Sequence, residues 1–280
     1  MLIASPRHSK EDLARWAVLE RMDRVNAQRR RGQLENAANK ARDEIAEFAA
    51  EPCTLGVSWG KDSVVAAHLV ATMGLLATRI VSVYFVHAPK DNPDCGAVRD
   101  AFFARWSLPS YRDQIVDPRK PGDTTSKAAR YARWYREGGL PERRITGVRA
   151  AESQVRALSA ATHGVTTEAS CRPILRWSTS DVFAYLALHD LPVHPAYAQS
   201  MGGLWDREHL RVAPLGGHEG SGHGRAEWER HYYGAEDDPP HRPTTPNSGD
   251  GDAAKRRGRS TKRRPGTSSA CGVERCRWSA

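Results

Sequence analysis

Cysteine is scarce and scattered in this 280-residue chain: five residues, at 53, 95, 171, 271 and 276, with no pair spaced as C-x-x-C. An odd, dispersed set argues against a disulfide framework and against a zinc ribbon, so reduced thiols are expected. Long apolar runs are missing as well. The longest uncharged stretch, residues 64–78, contains His68, Thr72 and Thr78 and is shorter than the ~18 apolar residues a spanning helix needs. The N-terminus turns polar after four residues, which leaves no room for the apolar core of a secretory signal. The expected location is the cytoplasm, with no membrane partner.

Lysine is rare too, 8 residues against 34 arginines. The formal charge of +9 is unevenly spread, because residues 253–280 hold nine basic residues and one acid while the other 252 residues hold 33 and 32. The body is nearly neutral, so the basic balance belongs to the tail and points there to weak nucleic-acid contact. Beyond Gly234 the chain is rich in Asp, Pro, Thr, Gly and Ser and lacks the apolar residues that order a segment.

What the sequence does contain is periodicity. Residues 12–50 read as two helices parted near Gly32, the second carrying Leu34, Ala38, Ala41, Ile45 and Phe48 on one face. From Pro52 the pattern becomes strands alternating with helices: strands at 54–57, 79–86, 111–116 and 144–146, and helices at 62–73, 98–106, 150–161 and 179–189. Ser178 to Asp181 has the form of a capping box that starts the last of these helices. Such alternation implies an α/β fold, a parallel sheet with helices on both faces. Three regions follow: a helical segment 1–51, an α/β domain 52–234 and a disordered basic tail 235–280. Trp228, Tyr232 and Tyr233 suggest a terminal helix, and the Gly/His stretch around His218 and His223 reads as a loop rather than a metal site.

The chemistry concentrates where the first strand meets its helix, in Ser58-Trp59-Gly60-Lys61-Asp62-Ser63. Amides at a helix N-terminus favour an anion through the helix dipole and their unpaired N–H groups. Gly60 is expected to allow close backbone approach and a positive φ. Lys61 adds charge, Ser58 and Ser63 add hydroxyls, and Asp62 is a candidate Mg²⁺ ligand or helix cap. Only three residues separate Gly56 from Gly60, and Asp62 follows the lysine, so this is not a Walker A loop.

The hexapeptide resembles the PP-loop S-G-G-K-D-S of the adenine nucleotide alpha hydrolase superfamily, with Trp59 in place of a glycine. Gly147-Val148-Arg149-Ala150-Ala151-Glu152-Ser153 with Arg156 is similar to the G-[IV]-R-x-x-E-S-x-x-R element of phosphoadenosine phosphosulfate (PAPS) reductases. Arg172-Pro173 through Trp177 and Asp181-Val182, then Leu191-Pro192, Pro195 and Tyr197, resembles a further segment of that family. The resemblance implies a Rossmann-like sheet and an adenine nucleotide, PAPS or ATP, as ligand. It implies that Ser58, Trp59, Gly60, Lys61, Asp62, Ser63, Gly147, Arg149, Glu152, Arg156 and Arg172 form the phosphate-binding set. Lys61 and Arg149 would stabilise charge in the transition state.

Three functions remain open on this reading. In sulfonucleotide reduction, a thiolate attacks sulfur, sulfite is released, and thioredoxin or glutaredoxin regenerates the thiol. Cys271, in Ala270-Cys271-Gly272-Val273, matches only the core of the family's C-terminal cysteine motif. The alternatives are Mg²⁺-dependent ATP cleavage of the adenylating, sulfurtransferase type in nucleic-acid modification, and a catalytically silent nucleotide- or DNA-binding module. The cysteines that hold an iron–sulfur cluster in some relatives are not matched here, so none is expected.

Overall fold

The computed structural model describes residues 1–74, 79–87, 94–108, 110–115, 125, 127–199, 206–208, 210 and 212. All fall within the first of two units into which the chain divides, Met1–Pro240. The tail from residue 235, the aromatic cluster at 228–233 and His218 and His223 lie outside the described residues.

Helix α1 (Lys10–Arg29) begins at a capping box in which Ser9 Oγ accepts the Asp12 amide and the Asp12 carboxylate accepts the Ser9 amide. Two donors that a helix start leaves unpaired are thereby satisfied. Helix α2 (Arg31–Phe48) buries Leu34, Ala38, Ala41, Ile45 and Phe48, the face its spacing predicts. The break between the two falls at Arg30, whose backbone leaves the helical region at φ −111° and ψ 15°. Gly32 lies inside α2 instead, and no atom within 4 Å of its missing Cβ requires a glycine there.

Five parallel strands follow: β1 (Cys53–Val57), β2 (Ile80–His87), β3 (Tyr111–Ile115), β4 (Arg144–Thr146) and β5 (Ser170–Cys171). Their order in the sheet is β3-β2-β1-β4-β5. Helices α3 (Lys61–Ala71), α4 (Cys95–Phe103), α5 (Lys127–Glu137) and α6 (Gln154–His163) connect them, and α7 (Thr179–Leu188) closes the series from its own Ser178–Asp181 capping box. This is a Rossmann-like α/β fold. The chain winds from β1 out to β3, then returns to lay β4 on the other side of β1. The gap outside the carboxyl ends of β1 and β4 is the topological switch point, where open α/β sheets bind ligands.

Register fixes what each face of the sheet shows. Leu55 pairs with Val83 and Ile145, and Gly56 pairs with Tyr84 and Thr146. Because side chains alternate along a strand, Leu55, Val57, Val83, Phe85 and Ile145 share one face. They join Val64, Val65 and Leu69 of α3 and Val98 and Phe102 of α4 in the main core. The other face carries Gly56, Tyr84, Val86, Arg144 and Thr146, and its buried apolar cover is Tyr135 of α5 against Tyr84 and Val86. Helices therefore stand on both faces, with very unequal contact.

Helix α5 and the two-residue β5 were not expected from the sequence. The first interleaves four basic residues with its apolar ones and the second is too short to carry a period. The helix expected from Ala150 opens with a 3₁₀ turn at Ala150–Glu152, and α6 starts only after Ser153, whose side chain accepts the Arg156 amide. Among the described residues, no helix is long and apolar enough to cross a membrane.

Candidate functional site

A cavity of about 490 Å³ opens at the switch point, within the usual range for a small-molecule site. The β1–α3 loop supplies Ser58, Gly60, Lys61, Asp62 and Ser63, the β4 loop supplies Gly147, Glu152 and Arg156, and the sheet supplies Gly56, Tyr84, Val86, Arg144 and Thr146. The β1–α3 loop is held by its own side chains. Ser63 Oγ accepts the Ser58 amide at 3.1 Å and donates to the Gly60 carbonyl at 3.0 Å. The Lys61 amide, at the first turn of α3, donates to Tyr197 Oη at 3.1 Å. Tyr197 also lies beneath the lysine, with Lys61 Nζ 4.9 Å from its ring centroid. Burial, followed by the Asp62 carboxylate, holds the Tyr197 phenol well above its ordinary range and keeps it neutral.

Close approach, not backbone freedom, explains the two loop glycines. A Cβ on Gly147 would stand 2.6 Å from the Asp62 carbonyl oxygen and 2.9 Å from the Ser63 nitrogen, so the β4 loop lies directly on the first turn of α3. A Cβ on Gly60 would meet Tyr197 Oη at 3.0 Å and Val212 Cβ at 3.3 Å. The expectation of a positive φ at Gly60 is corrected, since its φ is −79°. The left-handed residue is Trp59, at φ 57°.

That conformation costs an ordinary residue about 1–2 kcal/mol, and the burial of the indole offsets it. Trp59 is fully buried among Phe102, Phe103 and Tyr111. Its Nε1 donates to Tyr111 Oη at 3.0 Å, which in turn donates to Asp113 Oδ1 at 2.5 Å. Trp59 thus anchors the loop from behind, and its side chain does not line the cavity as a phosphate-binding residue would.

Two other sequence expectations change in the same way. Arg149 is 1% exposed and is turned into the protein. Its Nε donates to Asp62 Oδ1 at 2.6 Å, and one of its terminal nitrogens donates to the Trp177 carbonyl at 3.2 Å. It ties the β4 loop to α3 instead of lining the cavity. Arg172 donates to Ser159 Oγ and to the Gly164 carbonyl, so it braces the middle and the C-terminal end of α6 and does not line the cavity. Asp62 Oδ2 faces Lys61 Nζ at 3.2 Å while Oδ1 takes Arg149. Both carboxylate oxygens already face cations, so Mg²⁺ does not fit Asp62 as placed.

Glu152 accepts the Arg149 amide at 2.8 Å and pairs with Arg156. Lys61, Arg149 and Arg156 thus face two carboxylates, Asp62 and Glu152, which leaves the cluster with one excess positive charge. Lys61 is only 3% exposed. A buried cation beside a helix N-terminus, sharing its carboxylate with a second cation, is electrostatically suited to an anion.

Sequence reasoning missed Tyr84, Tyr135, Arg144, Leu210 and Val212 as cavity residues. Tyr84 and Tyr135 stack with ring centroids 5.5 Å apart and 15° between planes, and the Arg144 guanidinium lies over Tyr135 at 4.7 Å. The available signal was alternation: Gly56, Tyr84, Arg144 and Thr146 are the off-beat positions of their strands. Cys53 and Cys171 are buried, and burial pushes their thiols up to about 11 and about 12. Cys95 Sγ lies 3.5 Å from the Ser58 carbonyl oxygen. Cys271 lies outside the described residues.

The family model of the phosphoadenosine phosphosulfate reductase domain matches residues 52–207. No curated protein sequence matches the chain. Among solved structures it is similar to the U34-tRNA thiolase NcsA from Methanococcus maripaludis, at 13% identity and a TM-score of 0.39. That similarity covers 56% of this chain and 65% of the thiolase chain. The thiolase carries a [4Fe–4S] cluster, and the expectation that no cluster accompanies this chain is not upheld. Ligands are gathered by the fold in space, so unmatched spacing along a sequence does not exclude them.

Proposed function

This chain belongs to the phosphoadenosine phosphosulfate reductase domain family, and on that premise we propose that it is an enzyme acting on an adenine nucleotide held in the switch-point cavity. The phosphate or sulfate group of the nucleotide sits against the first turn of α3. The single observation that carries this reading is the buried cluster in which Lys61 and Arg149 share the one carboxylate of Asp62. An arriving anion supplies the missing negative charge and takes hydrogen bonds from the loop. Lys61, lining the cavity, would stabilise charge that builds on the transferring group. Arg149 acts at one remove, as the buried strut that fixes Asp62 and hence Lys61. The nucleoside extends along the sheet face toward Tyr84, Tyr135 and Arg144.

Reduction of a sulfonucleotide is the first reading, because that is the chemistry for which the family is named. It requires a thiolate, and Cys271 is the residue assigned to supply it. A second reading, cleavage of ATP between its α and β phosphates, is favoured by one observation: the described cysteines, Cys53, Cys95 and Cys171, are buried and none of them lines the cavity. Product analysis separates the two. The full chain is incubated with PAPS, adenylyl sulfate or ATP, with thioredoxin or glutaredoxin as reductant, and sulfite and pyrophosphate are measured. Sulfite that disappears in Cys271→Ser supports the first reading, and pyrophosphate from ATP supports the second. Failure of all three nucleotides to bind overturns both.

A further inference from the structure

Residues 1–51 lie outside the family match, yet one of their side chains pairs with a residue three positions before a wall of the cavity. Asp23 sits in α1 and is 8% exposed. Both of its carboxylate oxygens accept from Arg207, at 2.6 and 2.7 Å. The Arg207 guanidinium lies 3.9 Å from the centroid of Phe183 on α7 and 5.5 Å from that of Trp16 on α1. Two parallel hydrogen bonds and an aromatic seat leave the guanidinium little freedom to turn. Leu210 and Val212 follow within five residues. Both are buried, both line the cavity, and Val212 packs against Gly60 of the anion loop.

We propose that Asp23 and Arg207 form a positioning pair through which helix α1 completes the nucleotide site. Neither residue of the pair lines the cavity. It fixes the chain at Arg207, and that fixed point sets where Leu210 and Val212 stand over Gly60. Helix α1 is therefore part of what shapes the binding site and not an appended module. Other contacts draw the same segment to the site's margin. Arg7 pairs with Asp94 at 3.0 Å, one residue before Cys95, and Gln199 donates to the Arg7 carbonyl at 2.9 Å, two residues after Tyr197.

This inference rests on the nucleotide reading above, and its test separates the two. Binding of ATP, adenylyl sulfate and PAPS to the full chain is measured by calorimetry for the wild type, Asp23→Asn and Arg207→Lys, well below each variant's melting temperature. Asp23→Asn keeps the shape and loses the charge. Arg207→Lys keeps the charge and loses the two-pronged geometry, and it serves if the first variant does not fold. The expected result is at least tenfold weaker binding of whichever nucleotide the wild type binds, with the far-ultraviolet spectrum unchanged. Affinity equal to wild type in a folded variant overturns the positioning role, whatever the change in melting temperature. Absence of binding by the wild type overturns the nucleotide reading and this inference with it.

Hydrogen exchange on the wild type gives a readout that needs no variant. The saturating nucleotide should slow exchange at residues 206–212 and in α1 around Asp23, as well as in the loop at 58–63. Slowing confined to the loop contradicts the proposal.

Discussion

The two faces of this one sheet are built on different rules. On the closed face, Leu55, Val57, Val83, Phe85 and Ile145 meet α3 and α4 in a continuous apolar core. On the open face, Gly56, Arg144 and Thr146 border a cavity, and among the described residues the buried apolar cover is the stack of Tyr84 on Tyr135 with Val86. Strands of a parallel sheet covered on both sides are ordinarily apolar throughout. Here Cys-Thr-Leu-Gly-Val and Arg-Ile-Thr alternate instead. The interruption of a parallel strand's apolar run marks the face reserved for a ligand, and the closed face holds the fold while that space stays open.

Truncations on the two faces should therefore differ most. Phe102→Ala, on the closed side and fully buried, should cost about 3–5 kcal/mol in a denaturant titration. Tyr135→Ala on the open side should cost less than half of that, because its lost contacts border a cavity that water already reaches. Equal losses would mean that the faces are not distinct.

Next in size is Gly147→Ala at the seam between them. Its methyl would lie 2.6 Å from backbone oxygen of α3, and overpacking of this kind costs about 1–3 kcal/mol. The same variant should lose nucleotide binding, which calorimetry on the folded fraction would detect. Wild-type affinity would show that the β4 loop does not shape the site.

The closed face should also carry a pH dependence. His68 in α3 is 1% exposed, its Nδ1 lies 2.9 Å from Tyr185 Oη, and burial, with His189 next in weight, pushes its pKa down to about 3. In the unfolded chain the group titrates at its ordinary 6.5. Below that pH the unfolded state binds a proton that the folded state refuses. This contribution to stability is complete above pH 6.5 and falls by about 1.4 kcal/mol per unit as the pH drops toward 3. At pH 5 the loss should be about 2 kcal/mol, read from denaturant midpoints, and His68→Gln should flatten the slope. A wild type with level stability from pH 7 to 5 would contradict it.

The smallest effect is expected from Tyr135→Phe. It keeps the stack and removes one hydroxyl beside Gly56, so stability should change by no more than about 0.5 kcal/mol. Any measurable change should fall on nucleotide affinity.

The closed face was largely legible in the sequence. The five apolar positions of α2, the Ser178–Asp181 cap and strand β4 stand where spacing and cap chemistry put them, because these signals are local. The strand-to-helix turn at residues 58–60 was legible for the same reason. The inward turn of Arg149 and Arg172 was not, because an arginine just beyond a strand looks alike in sequence whether it meets a phosphate or a neighbouring protein oxygen. Trp59 was misread in another way: the motif names the backbone position, while its indole follows the pocket formed by Phe102, Phe103 and Tyr111. Arg207 and Asp23, 184 residues apart, carry no local signal at all.

The central claim is that the excess positive charge beneath the open face holds the anionic group of an adenine nucleotide. Calorimetric titration of the full chain and of Lys61→Ala with ATP, adenylyl sulfate and PAPS tests it most directly. The account predicts binding of at least one nucleotide by the wild type, weakened by about 1.5–3 kcal/mol in the variant, the range for a charged hydrogen bond, with the melting temperature nearly unchanged. Equal affinity in the two proteins would contradict it.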